Sequence, residues 1–183
     1  MLAMQTIGLV YGKTDFGALY LAVVLWLACR QLCGLANQSS FRAFTAAHRE
    51  VADHSLLAVL APARWGVAIG IVTATSIAAI AVMLPDIEDL KYGETLRALP
   101  WMLGGLTLYS LGHAVAMNLF AASGRNGEFA VVHVAGAVTL SLACVALAPL
   151  LDRPLVLGIS CLVSDAMLLA LALAGSRFGR AGR

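Results

Sequence analysis

Uncharged stretches about as long as a membrane is thick recur along this chain and set its organisation. A helix crosses the hydrocarbon core with roughly 20 mostly apolar residues. Five stretches of that size stand out, at about 16–35, 57–84, 99–122, 129–151 and 154–174. The first carries Arg30 near its end, and the last encloses Asp165. The second is uncharged only from Trp65 onward, and Ser55 to Arg64 forms a more amphipathic approach broken by Pro62. A β-barrel would need alternating segments of about ten residues, a period that Leu168-Leu169-Ala170-Leu171-Ala172-Leu173 contradicts. The pattern therefore predicts an all-α, polytopic membrane protein, with five transmembrane helices in one membrane domain over 1–183. Leu84-Pro85-Asp86, Ser123-Gly124-Arg125-Asn126-Gly127 and Asp152-Arg153-Pro154 read as the turns between spans, imposed by proline and glycine.

Composition removes the competing classes. Of 183 residues, 61% are apolar and 12% charged, against roughly 45–50% and about 25% in soluble domains. A soluble core of this size needs more polar surface than these residues supply. The net charge of +2 is too small to hold nucleic acid, so no nucleic-acid partner is expected. Charge distribution is more informative than the total. Arg30, Arg42, Arg49, Arg64, Arg125, Arg177, Arg180 and Arg183 fall at one end of the alternating spans. Lys13, Lys91, Arg97 and Arg153 fall at the other, together with Asp15, Asp86, Glu88, Asp89, Glu94 and Asp152. The positive-inside rule then puts the N-terminus outside and the C-terminus in the cytoplasm. The first residues have neither a basic n-region nor a cleavage site, so they read as the exit of a preceding helix and not as a signal peptide.

Ionisable residues within spans are the candidate functional groups, because lipid makes them costly. Asp165 lies near the middle of the fifth span, where an acid costs about 2.5–3.5 kcal/mol on insertion scales. Gly158, Cys161 and Asp165 share one helical face, which is expected to pack against another helix. Two roles stay open for Asp165: ion coupling or substrate contact, and a structural hydrogen bond to a neighbouring helix. Arg30 stands on a stripe with Trp26, Cys33 and Asn37. Its guanidinium either snorkels to the headgroups or points into a cavity, where its fork suits a phosphate. Arg64, at the edge of the second span, snorkels more easily. His113 shares a face with Gly105, Tyr109, Gly112 and Ala116, and His133 lies about a turn into the fourth span. Haem ligation by the pair has no supporting motif, so hydrogen bonding between helices is the favoured reading. Gly66 and Gly70 form a GxxxG extended by Ala74 and Ala78, which means close helix contact. Cys29, Cys33, Cys144 and Cys161 all fall in spans without a second paired set, so they read as packing residues and no metal is expected. There is no G-x-S-x-G, H-E-x-x-H, phosphate loop or catalytic carboxylate pair, so neither enzyme activity nor a cofactor is expected.

Four stretches, in order, resemble a known family, the lipid-linked oligosaccharide flippases (polysaccharide biosynthesis membrane proteins) of the MATE-like exporter superfamily. Gly12-Lys13-Thr14-Asp15-Phe16-Gly17-Ala18-Leu19-Tyr20 is similar to the external turn before that family's eighth helix. Ser39-Ser40-Phe41-Arg42-Ala43-Phe44 with Arg49-Glu50-Val51-Ala52-Asp53 resembles its cytoplasmic loop and amphipathic stretch. Leu84-Pro85-Asp86 through Tyr92-Gly93-Glu94-Thr95 resembles an external loop, and Ala122-Ser123-Gly124-Arg125 the next cytoplasmic turn. Arg42 stands where the family usually has proline. The resemblance implies the C-terminal portion of a flippase-like bundle in the bacterial cytoplasmic (inner) membrane. Its partners would be membrane lipid, a polyprenyl-diphosphate-linked glycan, and a missing N-terminal half or partner membrane chain. In that role Arg30 and Arg64 would meet the diphosphate, and His113 and Asp165 would line or support the cavity. The alternative is a non-transporting scaffold that packs on a partner through Gly66, Gly70 and the Asp165 face.

Overall fold

The computed structural model describes residues 16–47, 64–83, 93–121 and 124–181. They form helices α1 (Phe16–Ala47), α2 (Arg64–Met83), α3 (Gly93–Val115), α4 (Asn126–Leu147) and α5 (Arg153–Ala181). A π-helical segment, Ala116–Ala121, continues α3, and no strand occurs among the described residues. Three segments are long and apolar enough to cross a membrane: Leu19–Gln38 in α1, Asn126–Leu147, and Arg153–Gly175 in α5. Helix α2 contributes a shorter apolar stretch, Arg64–Thr73. The external turn expected before Phe16, the amphipathic approach over 55–63, the stretch 49–53, the Leu84-Pro85-Asp86 turn and Ala122-Ser123 lie outside the described residues.

Helix ends differ from the expected span ends for local reasons. Helix α1 runs on through 39–44, a stretch expected in a loop. No proline or glycine follows Gly34 in α1, so the polar Asn37-Gln38-Ser39-Ser40 ends the apolar segment without ending the helix. Helix α4 stops at Leu147, short of the expected 151. Ala148 keeps helical backbone angles and its N–H still reaches the Cys144 carbonyl, but Pro149 has no N–H to continue the ladder, and the chain closes into a turn with Leu150 N–H bonded to the Leu147 carbonyl at 2.9 Å. Pro154 sits in the first turn of α5, where a missing N–H costs nothing.

Small residues set the registers. A Cβ at Gly158 would lie 2.8 Å from Trp101 Cβ, one at Gly105 3.2 Å from Leu162 Cα, and one at Gly112 2.8 Å from Leu169 Cα. Positions on α3 and α5 thus rise together, and the two helices run parallel with backbones nearly touching. Arg97 at the start of α3 pairs with Asp152 just before α5 at 2.6 Å, at one end of the bundle. Helix α2 runs the other way, with Gly66 against Ser110 and Cys33, and Gly70 against Thr107 and Leu106. The GxxxG face is thereby buried on α3, and the Cys33 thiol donates to the Gly66 carbonyl at 3.7 Å. Helix α1 is tied to α3 by Asn37 Nδ2, which donates to the Ser110 carbonyl at 3.1 Å. Helix α4 packs on α5, where Ser164 Oγ donates to the Gly136 carbonyl at 2.8 Å. Helix α3 is the centre of this arrangement: it meets α1, α2 and α5, while its π continuation also touches α4.

Two apolar clusters fill the bundle. One joins Leu19, Trp26, Met102, Leu106, Val156 and Cys161. The other joins Cys33, Tyr109, Val115, Phe120, Val132 and Leu168. Between them in sequence on their own helices stand Arg30, on α1, and Asp165, on α5. The polar layer is consequently capped by hydrocarbon on both sides.

Candidate functional site

The two charges inside the expected first and fifth spans meet. Arg30 Nη2 lies 3.3 Å from Asp165 Oδ1, with side-chain exposures of 22% and 0%. Neither carboxylate oxygen receives a hydrogen bond of good geometry, so the contact is an ion pair by distance alone. Gly105 makes room for the carboxylate, since a Cβ there would stand 3.0 Å from Asp165 Oδ2. The Arg30 guanidinium carbon lies 4.0 Å from the Tyr109 ring centre and 4.8 Å from that of Trp26, in cation–π contact with both. The sequence places Arg30 near a membrane edge, but α1 continues to Ala47 and the side chain turns inward to Asp165.

Tyr109 carries the arrangement on to the histidines. Its ring stacks on His113 at 5.3 Å between centroids. His113 Nδ1 stands 3.0 Å from His133 Nε2, and His133 Nδ1 stands 2.8 Å from the Phe129 carbonyl. A carbonyl only accepts, so His133 Nδ1 carries a hydrogen, and its Nε2 then accepts from His113 Nδ1–H in the neutral pair. His113 Nε2 is left buried without a partner. Two nitrogens bonded to one haem iron or zinc would stand farther apart, since each bond alone is about 2.0–2.1 Å for zinc and the ligands point at the metal from different sides. A directed hydrogen bond between α3 and α4 describes this pair.

Arg30, Tyr109 and His113 line a groove of about 500 Å³ between α1 and α3. Gln31 and Gln38 complete its polar wall, with Gly34 beside them, and Leu27 and Leu35 form an exposed apolar rim. The groove thus offers an arginine and two amides beside a hydrocarbon surface, a lining that suits an amphiphile with a polar, anionic end.

The sequence-derived candidates separate into three groups. Arg30, His113 and Asp165 join through Tyr109, which shares the His113 face but has no role assigned by sequence alone. Arg64 does not join them: it is exposed at the first position of α2 and lies 5.6 Å from the ring of its neighbour Trp65. Gly66, Gly70 and Gly158 are consumed in contacts within the chain, as is the Asp165 face, so these surfaces are covered by α1, α3 and α5 and not offered to a partner. All four cysteines are free, and among the described residues no three His, Cys, Asp or Glu side chains gather as a metal site. Sequence reasoning misses Gln31, Gly34 and Gln38, though Gly34 and Gln38 follow Arg30 by four and eight residues on one face of α1, and Gln31 stands three and seven residues before them. No protein-family model, curated protein or solved structure matches this chain.

Proposed function

We propose that this chain is a membrane transport module whose α1–α3 groove receives the phosphate-bearing end of a lipid-linked substrate. The observation that carries the reading is Arg30: a guanidinium within an apolar segment, held over Tyr109 and Trp26 and lining an apolar-rimmed groove. An arginine in that setting is costly unless it has work to do, and its fork matches phosphate oxygens. The order of motifs along the sequence favours a polyprenyl-diphosphate-linked oligosaccharide as that substrate and the bacterial inner membrane as the location. In this reading the chain crosses the membrane five times, with its N-terminus outside and its arginine-rich C-terminus in the cytoplasm. Alternating access needs two bundles rocking about a shared site, so a second bundle, in the same polypeptide or another, completes the cavity.

Co-expression with the matching N-terminal bundle and measurement of glycan export tests the proposal. Arg30→Ala is expected to abolish export while leaving the chain in the membrane. Export at the wild-type level in that variant would remove Arg30, and with it the groove, from any transport role.

A further inference from the structure

The groove's guanidinium is already engaged, because Asp165, wholly enclosed, stands 3.3 Å from it. We propose that Arg30 exchanges between Asp165 and a phosphate in the groove, and that Asp165 takes up one proton as it gives up the arginine. Anion binding and protonation of the carboxylate are then a single coupled event. The inference rests on the reading of the groove as a phosphate site and adds how that site is regulated.

The geometry requires a substitute for the departing cation. Neither oxygen of Asp165 accepts a hydrogen bond, and Arg30 is the one cation acting on it among the described residues. The other titratable groups nearby are Cys33 on α1, Tyr109 on α3 and Cys161 on α5 itself. From α3 and α4, His113 and His133 lie beyond the Tyr109 ring and bond to each other. Cys144 of α4 sits in the apolar cluster with Cys161. None of these offers Asp165 a positive charge, and α3 comes so close at Gly105 that a Cβ there would stand 3.0 Å from Oδ2. A charged carboxylate abandoned there would be neither solvated nor paired, and such groups neutralise instead. Arg30, in contrast, has somewhere to go: it is the only member of the pair with any exposure, and its long side chain lines the groove.

Calorimetric titration of the full chain in mixed micelles tests this, in buffers of differing ionisation enthalpy so that protons are counted. The probes are a short-tailed alkyl diphospho-sugar and, as a free anion, sulfate; neither titrates between about pH 6 and 8, so any proton taken up belongs to the protein. Uptake approaching one proton per bound probe is expected, with affinity rising up to tenfold for each pH unit lowered. Asp165→Asn is expected to bind at least tenfold more tightly at pH 8, with no proton uptake. The probe that binds more tightly identifies whether the phosphate is carried by a lipid or free. Binding without uptake would overturn the exchange and leave the phosphate site standing. So would pH dependence that persists in Asp165→Asn, since the histidines would then carry it. Failure of both probes to bind would overturn the groove as a phosphate site altogether. If Asp165→Asn does not fold, the proton count on the unmodified chain decides alone.

Discussion

Helix α3 makes two kinds of contact, and the contrast between them separates scaffold from site. Toward α5 it presents Gly105 and Gly112, and the backbones close until a Cβ at Gly112 would stand 2.8 Å from Leu169 Cα. Toward α1 it presents Tyr109 and His113, which line a groove of about 500 Å³. Lipid tails are as apolar as leucine, so helices in a bilayer associate by close packing and not by hiding hydrocarbon. The seam between α3 and α5 gains that packing along its length. The α1–α3 contact forgoes part of it and keeps Arg30, Gln31 and Gln38 beside open space.

The ion pair crosses both regions, so breaking it has the largest expected effect. Arg30→Ala leaves Asp165 enclosed and unpaired, and removing one partner of a buried pair costs up to about 3–5 kcal/mol, less as falling pH lets the carboxylate take a proton. Unfolding from mixed micelles by added dodecyl sulfate measures the loss. Arg30→Leu combined with Asp165→Leu should recover most of it, because two apolar side chains are often as stable as a buried pair. A double variant as unstable as Arg30→Ala would mean that the pair organises the seam and not only the groove.

The general character of the fold is legible in the sequence because it depends on composition and period. Helices apolar enough to span a membrane follow from runs such as Leu168 to Leu173, and the face bearing Gly158, Cys161 and Asp165 follows from spacing within one helix. What lies beyond reach depends on two helices at once. Arg30 and Asp165 are each conspicuous, but their meeting is set by α3, whose Gly105 admits the carboxylate and whose Tyr109 supports the guanidinium. The groove is a gap, and no single segment encodes a gap. The π turn at Ala116–Ala121 follows an ordinary apolar stretch with no proline to announce it. Arg64 shows the same limit from the other side: its charge and its span edge fit the same substrate role as Arg30, yet it stands exposed at the first position of α2, away from the groove.

Two glycines sharpen the comparison directly. Gly112→Val forces branched carbons into the Leu168–Leu169 surface, and overpacking of this kind costs about 1–3 kcal/mol. Gly34 faces the groove, where a Cβ would meet only Tyr109 Oη at 3.9 Å, an ordinary contact. Gly34→Ala should therefore be neutral or stabilise by up to about 1 kcal/mol, the helix propensity gained over glycine. The same dodecyl sulfate titration reads both. Equal destabilisation by the two would show that α1 and α3 close more tightly than the groove allows.

The smallest expected effect belongs to Arg64, and it tests whether arginine as such matters or only its setting. Arg64 is exposed at the start of α2, with the Trp65 ring of its own helix 5.6 Å away. An exposed side chain with no buried partner to abandon changes stability by no more than about 0.5 kcal/mol when truncated. Arg64→Ala should accordingly unfold like the unmodified chain and, under the proposed transport role, retain at least half of the export read on co-expression, where Arg30→Ala loses both stability and export. Loss of export in Arg64→Ala with stability intact would move the substrate's path to the exposed end of α2 and away from the groove. The contrast is informative because both residues carry the same charge on apolar helices, so a difference in outcome isolates what Asp165, Tyr109 and the groove add to one of them.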